Sequence, residues 1–240
     1  MKQITVLYPT ADTELEMELF TPDEEMYPAP HPVLIHFYGS GWTRGLRYRH
    51  FDLARAYAQA GFVVALPDYR IACRQHTTPF VSVEDAVNAA AFVRSQAEAW
   101  HIDLNRVVLG GVSSGGQMAL MAGLRGEQPF AYTLVNPAVN DEILERMCRK
   151  DQPWRDISPL YHLTADTAPM ILFHGEADHV VPISASEQLL EKARILGIRA
   201  ELIRFAGADH SEFVSPGSMR NAIRFHRMIS EALRFLSEIQ

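Results

Sequence analysis

Two cysteines, Cys73 and Cys148, are all the thiol chemistry that these 240 residues carry. That is too few for a disulfide framework, and both are expected as reduced, incidental or core residues. Long apolar runs are missing as well. The opening stretch, MKQITVLYPT, holds nothing that would serve as a signal peptide, and no later run approaches the ~20 residues that span a bilayer. A cytoplasmic location without a membrane partner is the resulting expectation. Positive charge is scarce: 22 Lys and Arg against 29 Asp and Glu leave a formal net charge of −7. With no basic run to offset that balance, nucleic acid is not an expected partner. Internal repeats, low-complexity tracts and linker-like stretches are absent too, so residues 1–240 read as a single domain.

What is present suits a substantial core, with 48% hydrophobic and 21% charged residues. Residues 4–8 and 15–20 alternate as strands do, with Leu15, Met17 and Leu19 on one face and a turn at Asp12-Thr13 between them. From residue 33 onward, strand-length apolar runs at 33–37, 62–66, 107–109, 131–135, 170–173 and 200–205 alternate with helical periodicity. Ser82 with Asp85, and Ser184 with Glu187, read as capping boxes. Ser215-Pro216 reads as the opening of the last helix. Such alternation implies crossover units: an α/β fold, with a mostly parallel central sheet of about eight strands and helices on both faces. Residues 140–168 are less regular and read as a small lid-like insertion.

In an open parallel sheet, functional groups collect at the carboxyl ends of the strands. Loops 38–42, 111–115, 174–178 and 206–213 lie at such ends. Gly111-Val112-Ser113-Ser114-Gly115 matches G-x-S-x-G. A serine on a sharp strand-to-helix turn needs small neighbours two residues away on either side. Ser113 has glycine at both positions, whereas Ser114 would have Val112 and Gly116. Taken alone, the stretch also reads as a glycine-rich turn with incidental serines. The order Ser113, Asp178, His210 along the chain separates the two readings, because it is the order of the α/β-hydrolase triad.

The resemblance extends through most of the chain, from about residue 33 to 213. LIHFYGSGW resembles an H-G-G-G-[FW] stretch, PDYRIA a P-D-Y-R-L-A block, and GGVSSGG a G-D-S-A-G-G turn. HGEADHVVP resembles an H-G-x-x-D-x-x-V-P acid loop, and GADHSEF a G-x-x-H-x-F histidine loop. In that order and spacing, they make the sequence similar to the α/β-hydrolase superfamily, and within it to small carboxylesterases of the acetyl esterase and hormone-sensitive-lipase-like type. The resemblance implies a serine hydrolase with Ser113 as nucleophile, His210 as the base that takes its proton, and Asp178 as the acid that orients the imidazole.

Other candidates fit less well. Glu176 falls outside the motif's acid position, and His174 and His179 suit local packing or hydrogen bonding. His36, His50 and His226 have no adjoining motif, and Asp209 suits loop solvation. A His174–His179 pair matches no metal-ligand spacing, so neither metal nor cofactor is expected. An oxyanion hole is expected from the Gly39, Ser40 and Ser114 amides. Here the chain departs from the pattern, with Tyr38 in place of the histidine and Ser40 in place of the middle glycine. Val112 also stands where an acid is common, and Asn136 where an aromatic is usual.

Trp42, Asn136 and Trp154 are the candidate substrate contacts. Only 37 residues precede Tyr38, which leaves no room for a large N-terminal cap domain. An open site favouring short acyl groups follows. The expected function is hydrolysis of short-chain, acetyl-type esters through an acyl-enzyme, the partner being a small-molecule ester such as an acetylated sugar. A peptidase or amidase of the same fold, and a non-catalytic small-molecule-binding homologue, are the alternatives. A homodimer is left open.

Overall fold

The computed structural model describes residues 1–148 and 150–239. Strands β1 (Lys2–Pro9) and β2 (Glu14–Thr21) form the opening antiparallel pair, followed by β3 (His31–Phe37). A 3₁₀ turn at Arg47–His50 leads into α1 (Phe51–Gln59), then β4 (Val63–Pro67), the one-turn α2 (Ala72–Gln75) and α3 (Pro79–Ser95). The central unit is β5 (Ile102–Val112), α4 (Ser114–Arg125) and β6 (Ala131–Val135). After it come α5 (Asp141–Met147), 3₁₀ turns at Trp154–Ile157 and Pro159–Tyr161, and β7 (Met170–Gly175). The chain closes with α6 (Ser184–Leu196), β8 (Ala200–Phe205) and α7 (Met219–Glu238).

The strands form one eight-stranded sheet in the order β1-β2-β4-β3-β5-β6-β7-β8. β2 runs antiparallel to both its neighbours, and every pairing from β4 to β8 is parallel. The strand period of two sorts the apolar residues between two cores. Val33, Ile35, Val107 and Leu109 face α3, α4 and α6, where Val83, Met118 and Leu189 pack. Leu34, Val108, Ile171 and Phe173 face α1 and α7, where Leu53, Phe225 and Phe235 pack. Helices on both faces explain why the parallel strands read as continuous apolar runs rather than alternating ones.

Several local expectations change. Ser82 and Asp85 do not open α3; they lie inside it, and the helix starts at Pro79 with Thr78 as its cap position. Tertiary partners claim both side chains: Ser82 Oγ donates to the Arg70 carbonyl at 2.7 Å, and Asp85 accepts from Arg70. α7 begins after Ser218, whose hydroxyl accepts from the Asn221 amide, rather than at Ser215-Pro216. Ser184 makes no capping bond, although α6 does end at Gly197 in the left-handed conformation.

The segment 140–168 is a further difference. Gln117 Nε2 donates to the Ile157 carbonyl at 2.5 Å, Arg125 donates to that of Asp156 at 2.6 Å, and Ile143, Leu144, Ile157 and Leu163 join the core beside α4. It thickens one layer of the protein instead of forming a lid. Among the described residues, no helix is long and apolar enough to cross a membrane.

Candidate active site

Ser113 sits where β5 passes into α4, at φ 58° and ψ −122°. A residue with a Cβ rarely adopts positive φ, so the surroundings must impose it. The Ser113 amide donates to the Val135 carbonyl at 2.9 Å, and its own carbonyl accepts from Ala138 at 3.0 Å, tying the turn to the end of β6. The flanking glycines leave no alternative. A Cβ on Gly111 would fall on the Gly115 backbone, and one on Gly115 would fall on the Phe37 carbonyl. The spacing therefore reflects two backbones in contact beneath the serine.

Asp178 and His210 come from the loops after β7 and β8. His210 Nδ1 lies 2.6 Å from Asp178 Oδ2. A carboxylate only accepts, so Nδ1 carries the proton and Nε2 of the neutral ring is left basic. Asp178 Oδ1 accepts from the Val180 and Val181 amides, each at 2.8 Å, which fixes the carboxylate on its other side. The Asp178 side chain is fully buried while that of His210 is 18% exposed: a buried acid orients a ring that still reaches the cavity.

Neighbouring groups hold the two loops together. Ala177 donates to the Ala208 carbonyl at 3.0 Å, and Asp209 Oδ1 accepts from the His210 and His179 amides. Those amides hold the Asp209 carboxyl below its usual pKa. His174 is buried between Ser186 Oγ (2.7 Å) and the Val181 carbonyl (3.0 Å), and burial lowers its pKa. It packs locally, as do the exposed Glu176 and His179, which stay at the surface.

The loop after β3 differs from expectation in one atom. Ser114 Oγ accepts from the amides of both Ser40 and Gly41, each at 3.0 Å. The Ser40 N–H is thus already committed, and of the amides expected to receive an oxyanion it is the one to set aside. Gly39 lies against the serine, a Cβ at its position falling 3.3 Å from Ser113 Cβ. The Ser40 hydroxyl accepts from Trp42 N and from Tyr69 OH, both at 2.9 Å. Tyr38 stacks on Tyr69 at 4.3 Å and donates to Asp68, which also pairs with Arg74. The tyrosine in place of the motif's histidine is part of a brace beneath the loop.

A cavity of about 630 Å³ opens over these groups, lined by Gly39, Ser40, Val112, Ser113, His210 and Ser211. Its lining also includes Arg44, Tyr48, Arg49, His50 and Asp52, residues that the sequence singled out for no role in the site. A possible signal was their place directly after the glycine-rich loop.

The expected substrate contacts are not among the lining residues. Trp42 is buried and donates to Gln117 Oε1. Trp154 packs edge-on against Tyr161 beside Arg155 and lines a separate depression. Asn136 is fully buried: its Nδ2 donates to the His210 carbonyl at 2.6 Å and its Oδ1 accepts from Gly175 at 3.1 Å. It braces the histidine loop. Among the described residues of 140–168, none lines the cavity.

The geometry has close parallels. The BD-FAE family profile matches residues 17–143 and 136–193. Esterase LipC of Mycobacterium tuberculosis is 26% identical over 223 residues, covering 78% of this chain and 54% of LipC. A probable isoprenylcysteine alpha-carbonyl methylesterase of Arabidopsis thaliana, ICMEL1, is 24% identical over 86% of this chain and 50% of its own. The chain thus spans about half the length of the curated relatives it matches. Among solved structures, native esterase 2 of Thermogutta terrifontis superposes with a TM-score of 0.88 at 25% identity, covering 99% of this chain and 92% of that one. The same esterase with butyrate bound gives 0.86 at 26% identity, covering 99% and 94%. This chain belongs to the BD-FAE family, with an α/β-hydrolase fold of the hormone-sensitive-lipase-like type.

Proposed function

We propose that this protein is a serine carboxylesterase that hydrolyses short-chain, acetyl-type esters through an acyl-enzyme. The observation that carries the reading is the 2.6 Å bond from His210 to the buried Asp178, in a ring that shares one cavity with Ser113 on its strained turn. His210 Nε2 takes the Ser113 proton as Oγ attacks the acyl carbonyl, then returns it to the departing alcohol. Water, deprotonated by the same nitrogen, releases the acid. Asp178 stabilises the imidazolium that forms in each half-reaction.

The amides of Gly39 and Ser114 are the proposed oxyanion donors. One such donor is typically worth about 100- to 1,000-fold in turnover, so the commitment of Ser40 to Ser114 Oγ bears directly on rate.

The similarity to esterases supports ester rather than peptide chemistry. The butyrate- and propionate-bound structures of the T. terrifontis enzyme support a short acyl group, and its phosphorylation by paraoxon supports a reactive serine. The deciding experiment pairs a fluorophosphonate label with 4-nitrophenyl esters of increasing acyl length, followed by acetylated sugars. The label should map to Ser113, acetyl to butyryl esters should turn over fastest, and Ser113→Ala should lower turnover by about 10⁶-fold. Near-normal hydrolysis by Ser113→Ala, or faster turnover of long-chain emulsified lipid, would refute the proposal.

A further inference from the structure

We propose that the cavity selects esters bearing a carboxylate, held by the lining residues Arg44 and Arg49. The inference rests on the ester-hydrolase reading and names the substrate class of the same site. Both arginines line the cavity that contains Ser113 and His210, and both are exposed. Among the described residues neither guanidinium makes an ion pair or a side-chain hydrogen bond, whereas the arginines around them are engaged. Arg47 pairs with Glu16, Arg70 with Asp85, and Arg74 with Asp68.

The acid in the lining, Asp52, is occupied by Arg55 at 3.2 Å and by Ser215 Oγ at 3.2 Å. The histidine beside Arg49, His50, is kept neutral: burial, reinforced by the Arg49 charge, lowers its pKa to about 3. Two arginines without an ion-pair partner therefore line a cavity whose lining carboxylate, Asp52, is already paired, in a protein of net charge −7. Walls of low polarity, here Val112, Val180 and Val214, concentrate such a field on whatever enters. A guanidinium presents a planar fork of donors that matches a carboxylate in shape as well as charge.

The test compares kcat/KM within two matched pairs of esters. With the anion on the acyl side, 4-nitrophenyl hemisuccinate is set against 4-nitrophenyl valerate. With the anion on the alcohol side, 3-acetoxybenzoate is set against 3-acetoxybenzamide. The anionic member should be preferred by about tenfold in at least one pair, the range of a charge-assisted contact. The preference should shrink in about 0.5 M NaCl and collapse in the Arg44→Gln/Arg49→Gln double variant, whose exposed substitutions leave the core alone. No anionic preference in either pair, or a preference that survives in the double variant, would overturn the proposal. Failure of the wild-type protein to hydrolyse even 4-nitrophenyl acetate would instead undo the ester-hydrolase reading, and this proposal with it.

Discussion

At Asp178 the carboxylate does two jobs with two oxygens: Oδ1 is held by backbone amides, and Oδ2 holds the histidine. Asp178→Asn keeps the shape but lets the side-chain amide impose the wrong tautomer on His210. Turnover of 4-nitrophenyl acetate should drop by about 10⁴-fold, with little change in thermal stability. Ser114 invites a different measurement. Ser114→Ala leaves the Ser40 and Gly41 amides without their acceptor, at a cost of about 1–3 kcal/mol, readable as a lower urea midpoint. Asn136 marks the limit of residue-level reading. Its place after β6 was visible in the sequence, but the direction of its amide was not, and the structure turns it onto the His210 carbonyl. Asn136→Ala should lower kcat by more than it raises KM, because it loosens the proposed base, His210, rather than a substrate contact.

At the scale of elements, the strands and their mostly parallel pairing were legible because a parallel sheet covered on both faces writes itself as apolar runs. Helix starts were not. Ser82 and Asp85 satisfy a capping pattern on paper, yet Arg70, brought alongside from the end of β4, outcompetes the local backbone for both. The Asp85 side chain is fully buried and that of Arg70 nearly so. Removing Asp85 leaves the Arg70 charge with only the exposed Asp12 as a partner. Asp85→Ala is expected to destabilise the fold by about 3–5 kcal/mol, checked by equilibrium urea unfolding. The segment 140–168 shows the same competition: its irregular sequence suggested a lid, but Ile143, Leu144 and Ile157 had core to join beside α4.

For the whole molecule, the buried histidines set a pH response. His36 and His50 face each other at 3.0 Å inside the protein, and His174 is enclosed near Asp178. Burial lowers the pKa of all three and of the buried His31, that of His50 to about 3. The unfolded chain therefore binds protons that the fold refuses. Stability is complete above the ordinary histidine value near 6.5 and falls as pH drops from there toward 3, by up to about 1.4 kcal/mol per pH unit for each such group. Urea midpoints measured between pH 7.5 and 4.5 should decline, and His50→Gln should show a shallower decline than the wild type. Equal slopes would mean that His50 titrates normally.

By itself, the sequence determined the α/β architecture and pointed to Ser113, Asp178 and His210 as the candidate triad. Strand burial and sharp turns restrict which amino acids can stand at given spacings, and those restrictions are local. The tertiary structure decided which groups meet. It gave the Ser40 amide to Ser114, turned Trp42 and Asn136 away from the cavity, and brought Arg44 and Arg49 to the cavity that holds Ser113. Those outcomes depend on competition among donors and acceptors far apart in the chain, and a linear pattern does not record who wins.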